Sequence, residues 1–323
     1  MRFSYYNVQA TPLDYAKHGN IGSSGYRDVC LRLKEHLDYV WEDGGQVTEA
    51  ALVSRGIFHV LKQVKVEKNY ASGYLIKFNL IEEVVQPFTL KPLYSAHGPA
   101  SSDYEAFFFV YSFENHVLAI EDKKKLPSPS VLKKIFHHFF GPCVDEKFPN
   151  HVVDASMLND YSAIEELEGK ADGYYRAEIK ASFTNSFEFV REELVEKDKE
   201  YRDKGISEST VVEKAKKGGV MAALSKSAQI LLMLSLPTGH ASISYRDAET
   251  GKREGFHTDN RPIILEVEEY EEDSGEYKAP KDFERDVLNS IITAKNNSTK
   301  SKENDEGNEK KAKEYMTPGE GDE

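Results

Sequence analysis

Cysteine is nearly missing from this 323-residue sequence, which holds only Cys30 and Cys143. Two thiols build neither a disulfide framework nor, by themselves, a structural zinc site, and such sparing use fits a reducing compartment. Long apolar runs are missing too. The longest, Ile230-Leu-Leu-Met-Leu-Ser-Leu236, falls far short of the roughly 20 residues that cross a bilayer. The opening Met1-Arg-Phe-Ser-Tyr-Tyr-Asn7 has no apolar centre of a signal peptide. A cytoplasmic protein that does not enter membranes is therefore expected. Positive charge is the scarcer sign: 42 Lys and Arg against 55 Asp and Glu give a formal net charge of −13. That balance disfavours indiscriminate binding to nucleic acid or anionic lipid, while a local basic patch stays compatible with either. No tandem repeat of roughly 20–50 residues is visible, so a solenoid is excluded.

What is present suffices for a real core. Hydrophobic residues make up 39 % of the chain and aromatic ones 11 %, enough for one large or two modest domains at roughly 100–200 residues each. In a first unit, residues 1–155, Arg2–Val8 reads as a strand. Cys30, Leu33, Leu37, Val40 and Trp41 then fall at helical spacing over Arg27–Trp41, with Asp43-Gly44-Gly45 as the stop. Three β-rich runs follow, Ile57–Val66, Tyr74–Ile81 and Glu105–Phe113, the last turning through Glu114-Asn115 into His116–Glu121. Phe107-Phe108-Phe109-Val110 is apolar on both faces, as a central strand requires. Ser128 as N-cap and Pro129 at the first helical position open a helix whose apolar face runs from Val131 to Phe140 and closes at Gly141-Pro142. Val152-Val153 returns to the sheet.

A second unit covers 173–292. Tyr175–Ala181 alternates as a half-buried strand, Phe187–Arg202 and Glu208–Leu224 read as charged amphipathic helices, and Ser227–Leu236 reads as an apolar helix stopped by Pro237-Thr238-Gly239. His240–Tyr245 and Lys252–His257 form a hairpin, Ile263–Tyr270 a strand, and Phe283–Ile292 a short amphipathic helix. From 296 to 323 the chain is Lys, Glu, Asn, Ser and Gly with almost nothing apolar, which predicts a disordered acidic and polar tail. The expected fold class is α+β: antiparallel or mixed sheets covered by helices, in two sheet-plus-helix units of ferredoxin-like character.

One grouping carries a chemical suggestion. Glu121-Asp122-Lys123 ends one strand of the hairpin while Asp103 and Glu105 begin its partner, so acids and a lysine gather at one end of the sheet. Metal-dependent nucleases need such a set, with carboxylates for a hard divalent cation and a lysine to orient the attacking water. Charged strand ends are also ordinary solvated termini, and Glu178-Ile179-Lys180 repeats the acid-x-Lys pattern in the same chain. Lys123, Lys124 and Lys125, with Lys133 and Lys134 after the helix start, form the best basic patch for nucleic acid or phosphate. A solvated loop is the blander reading of the same lysines.

Other candidates carry less. His137-His138 point about 100° apart on a helix and share no ligand sphere. His240 and His257 have no accompanying ligand, and Lys216-Lys217-Gly218-Gly219 lacks P-loop spacing. The acidic run Glu266–Asp273 reads as a solvated strand end. Cys30 and Cys143 have no catalytic partner in view and are read as inert thiols.

Four segments nevertheless resemble an uncharacterised bacterial family, a domain of unknown function, over about residues 1–272. They are Arg2–Val8, the block Phe109–Ile120 leading into Ser128–Phe136, Ala177–Ala181, and Thr238–Ala248 followed by Thr258. The resemblance implies a compact intracellular bacterial protein, with mobile-element and phage-defence genes as the setting. It brings no active site with it. The expected function is a non-enzymatic binding or regulatory component, acting with a protein partner or nucleic acid and without a cofactor, in anti-phage defence. The alternatives are a Mg2+-dependent nuclease using Asp103, Glu105, Glu121 and Lys123, and a toxin or effector of a bacterial conflict system.

Overall fold

Side-chain alternation along β1 (Arg2–Pro12) sets up a two-sided core: Phe3 and Tyr5 enter one apolar cluster, while Tyr6, Val8 and Ala10 enter another. The computed structural model describes residues 1–14, 17–42, 50–54, 56–81, 83–96, 100, 101, 103–183, 192–271 and 275–299. After β1 come α1 (Gly22–Glu42), β2 (Ala51–Ser54), β3 (Ile57–Val66) and β4 (Tyr70–Asn79). A small hairpin of β5 (Glu83–Val85) and β6 (Pro92–Ser95) precedes β7 (Tyr104–Ser112), β8 (Val117–Glu121), α2 (Pro129–Lys147) and β9 (His151–Met157). Next are α3 (Ser162–Lys170), β10 (Ala171–Ser182), α4 (Glu192–Asp203) and β11 (Glu208–Lys214). The last elements are α5 (Lys226–Thr238), β12 (Gly239–Asp247), β13 (Arg253–His257), β14 (Ile264–Glu266) and α6 (Pro280–Thr299).

The fold is α+β with antiparallel sheets. Eight strands make the larger sheet, in the order β14-β1-β8-β7-β4-β3-β2, with β9 also paired to β1. α1 and α2 cover one face through Cys30, Leu33, Leu132, Ile135 and Phe136, packed on Phe107, Phe109 and Tyr111. α6 covers the other through Val287, Leu288, Ile291 and Ile292, packed on Phe3, Tyr5, Val110 and Val117. β7 lies inside the sheet between β4 and β8, as its two apolar faces require. The second sheet, β11-β10-β12-β13, packs Ala177, Ile179 and Ile243 against α3, α4 and α5. No described helix is long and apolar enough to cross a membrane.

Several expectations are corrected. Glu208–Lys214 is a strand, paired with β10 from Arg176↔Lys214 to Ser182↔Glu208, and the helix expected over Glu208–Leu224 is absent. The run Thr210-Val211-Val212 is β-branched and its burial alternates, so the free edge of β10 outweighs the helix suggested by its charges. α2 does not stop at Gly141-Pro142 but continues to Lys147, because Cys143 and Val144 are buried and offset the backbone bond that Pro142 cannot make. α5 likewise carries Pro237 in its last turn; at its start the Ser225 hydroxyl accepts a hydrogen bond from the Ala228 N–H at 3.2 Å. The expected strand Ile263–Tyr270 shortens to β14. Residues 296–299 belong to α6: Ser298 and Thr299 are buried, and the Tyr161 N–H donates to Asn297 O at 3.1 Å. The rest of the expected tail, 300–323, lies outside the described residues, as do Asp43-Gly44-Gly45 and 187–191.

Two histidines, His59 buried and His116 half-buried, make the first sheet sensitive to acid. Burial lowers the pKa of His59 to about 4, with Lys77 contributing, and that of His116 to about 3, with Lys295 contributing. His116 sits in the turn between β7 and β8 at φ 55, its ring 4.3 Å from that of Tyr26. Both depressed values mean that the unfolded chain binds the protons first. Their contribution to stability is therefore complete above the unfolded value near 6.5 and declines as pH falls toward 4 and then 3. Between pH 7 and pH 5 each is expected to remove about 2 kcal/mol. Urea midpoints at the two pH values should show a smaller loss in His59→Gln and His116→Gln than in the native sequence.

Candidate functional site

The face of the larger sheet that carries α6 is only partly covered. Where β3, β4, β7 and β8 run past the first turns of α6, a cavity of about 810 Å3 opens between the sheet, the helix and the residues Glu269, Tyr277 and Lys278. A bulge between Lys62 and Lys65, with Gln63 at φ 54, bends β3 at its edge. Above it, residues 269–271 pair with 276–278: Lys278 N–H donates to Glu269 O at 2.9 Å, and Tyr270 hydrogen-bonds Tyr277 through their hydroxyls at 2.9 Å.

Aromatic rings line one wall. Tyr74 and Phe108 lie 5.4 Å apart, Phe108 and Phe283 5.8 Å, and Phe283 and the fully buried Phe3 6.2 Å, so the wall continues into the core. Beside it stands Glu284, 7 % exposed, whose Oε2 accepts from the Tyr70 hydroxyl at 2.9 Å and Oε1 from the Ser72 hydroxyl at 2.7 Å. Burial, together with the Glu284 carboxylate, pushes the Tyr70 phenol far up and keeps it protonated. Among the described residues no lysine or arginine pairs with Glu284. Glu121 also lines the cavity; it is held by Lys123 at 2.9 Å and accepts from the Phe108 N–H at 3.3 Å.

The acids singled out from the sequence form two groups. Glu121 shares the α6 face with Val117 and Ala119, whereas Glu105 alternates with Phe107 and Phe109 toward α1 and α2. Asp103 goes with Glu105, because Lys125 Nζ bridges them at 3.0 and 2.9 Å. The hairpin thus brings these residues to one end of the sheet while the pleat sends them to opposite faces. The basic patch is also partitioned: Lys123 and Lys125 hold these acids, Lys133 holds Asp154 at 2.9 Å, and Lys124 and Lys134 are exposed. No three or more His, Cys, Asp or Glu side chains among the described residues converge as a metal site would require. His257 pairs with Ser242 across the second hairpin and not with His240. Both cysteines are buried, and burial pushes Cys30 far up and Cys143 to about 11, which suits inert thiols.

Sequence reasoning did not single out Glu284, Tyr70, Ser72, Tyr74 or Phe283. A signal for Glu284 is present: it lies in register with Val287, Leu288 and Ile291, a carboxylate on the apolar face of α6.

A second exposed feature is the β5-β6 hairpin. Phe88 at its tip is 93 % exposed, Leu90 72 % and Leu93 68 %. Gln86 Oε1 accepts from the N–H groups of Phe88 and Thr89 at 3.0 and 2.5 Å, which fixes the shape of the tip.

A family model described as Domain of unknown function (DUF4747) matches residues 53–292. No curated protein matches the chain.

Proposed function

The chain belongs to the DUF4747 family, a domain of unknown function, and we propose that it is a binding or regulatory component whose ligand enters the cavity between the larger sheet and α6. The observation that carries this reading is the make-up of that cavity. Its volume of about 810 Å3 is that of a small-molecule site, and an aromatic wall beside a few converging polar groups is the usual lining of one. The apolar tip of the β5-β6 hairpin supports a protein partner, since a large ring held outward on a shaped turn is contact surface waiting for a second molecule. Nucleic acid has weaker support, because Lys123, Lys125 and Lys133 of the basic patch are occupied by acids. The setting within this reading is the bacterial cytoplasm and anti-phage defence, as the resemblance implies.

Filling the cavity tests the reading. Ala106 lines it on β7, and Ala106→Trp should occupy the space that a ligand needs. In a melting screen against small metabolites, at least one compound is expected to raise the Tm of the native protein by about 3 °C or more and to leave Ala106→Trp unmoved. Mg2+-dependent cleavage of DNA or RNA, lost in both Glu121→Ala and Lys123→Ala, would replace the binding role with the nuclease. Growth arrest on expression of the chain alone would replace it with the toxin.

A further inference from the structure

Charge narrows the ligand of this cavity, a step that rests on the cavity being the binding site. Six ionised side chains line it: Lys65, Lys123 and Lys278 against Glu121, Glu269 and Glu284. Most are already matched. Lys123 holds Glu121 at 2.9 Å, Lys278 holds Asp286 at 2.7 Å, and Glu269 faces the Met1 ammonium at 3.1 Å. Lys65, at the exposed edge on β3, and Glu284, buried at the root of α6, are left without an ion-pair partner among the described residues. The two hydroxyls on Glu284 satisfy one acceptor position on each oxygen and do nothing to cancel its charge. A buried carboxylate in that condition costs free energy, which a positive group reaching it would recover. The neighbouring rings favour the same sign, because an aromatic face attracts a cation and Tyr74, Phe108 and Phe283 all line the cavity.

We propose that the cavity receives an organic cation, a guanidinium or primary ammonium group, which donates hydrogen bonds to the free acceptor positions of Glu284 and lies along the aromatic wall of Phe108 and Phe283. Lys65 at the mouth repels a second positive charge, so a single cationic head is favoured over a polyamine. Such a head arrives either on a free small molecule or on an arginine or lysine side chain of a partner protein.

Calorimetric titration of the full chain with ethylguanidinium, n-butylammonium and the capped peptide acetyl-Gly-Arg-Gly-amide tests the proposal, with AMP as the anionic control. At least one cation is expected to bind, with affinity falling tenfold or more in Glu284→Gln and in Phe108→Leu, and no binding to Ala106→Trp. Phe108→Leu keeps an apolar side chain and leaves Glu284 in place, so it carries the test if Glu284→Gln does not fold. Tighter binding of the peptide than of ethylguanidinium assigns the head to a partner side chain; the reverse order assigns it to a free metabolite. Binding of AMP but of no cation, blocked by Ala106→Trp, overturns the cation while leaving the cavity as a site. If no probe binds and no compound in the melting screen distinguishes Ala106→Trp from the native chain, the cation and the binding site both fall.

Discussion

Replacing Gly239 with alanine is expected to destabilise the protein by about 3 kcal/mol or more, through a backbone collision at the start of β12. Gly239 pairs with Ala181 across the β10-β12 ladder, and a Cβ there would sit 2.0 Å from Lys180 O and 2.9 Å from Ala181 Cα. Neither atom can swing aside as the end of a side chain does. β10 is held on its other edge by β11, and the strand's Ala177, Ile179 and Ala181 are completely buried. Relief therefore requires the two strands to part where the second sheet meets α5. The cost is one of contact and not of backbone conformation, since φ at this glycine is −163° and open to any residue. Gly141→Ala supplies the opposite case: that glycine lies inside α2 with nothing within 4 Å of the position its Cβ would take. Alanine there should stabilise by about 0.5–1 kcal/mol. Urea unfolding of both variants measures the difference, and matching midpoints for Gly239→Ala and the native chain would refute the collision.

Gly239 also shows what sequence reasoning could and could not reach. Beside Pro237 and Thr238 it reads as helix punctuation, and α5 does end there. Its closer constraint, the carbonyl of Lys180, lies 59 positions away in the chain and leaves no trace in local composition. Where pattern and burial coincide, the fold was legible: Ile57–Val66 is a strand with those ends, the Phe107–Val110 run is central, and the late hairpin pairs where its turn residues put it. Where a segment's environment is supplied by a distant one, it was not. Glu208–Lys214 shows helix-like charge spacing until β10 offers it an edge, and Asn297 looks like tail until the Tyr161 N–H at the start of α3 donates to it. The candidate site follows the same rule. Glu121 and Lys123 could be named because they are neighbours on one hairpin, but the cavity that gives Glu121 a context needs α6, more than 150 residues later. Glu284 pairs with hydroxyls more than 200 positions away, and only its place on an apolar helix face hinted at it.

The neighbours Phe107 and Phe108 should separate folding from binding. They occupy successive positions on one central strand, so local sequence and propensity are the same for both, and only the pleat tells them apart. Phe107 is completely buried with Phe109 and Tyr111 under α1 and α2. Its replacement by alanine leaves a void that a strand paired on both sides cannot close, and the expected loss is about 3–5 kcal/mol. Phe108 is half-buried and has the cavity on one side, so a smaller part of its ring leaves water on folding. Phe108→Ala is therefore expected to cost no more than about half as much, in proportion to the apolar area it buries. The functional effects run the other way. Phe107 does not line the cavity, so Phe107→Ala, assayed at a temperature where it stays folded, should keep any ligand-dependent rise in Tm. Phe108→Ala should lose that rise along with the ring that joins Tyr74 to Phe283. Urea midpoints and ligand-dependent melting on the two variants give four values. Equal loss of stability in both, or loss of ligand response in Phe107→Ala alone, would mean that the two faces of β7 do not divide core from site.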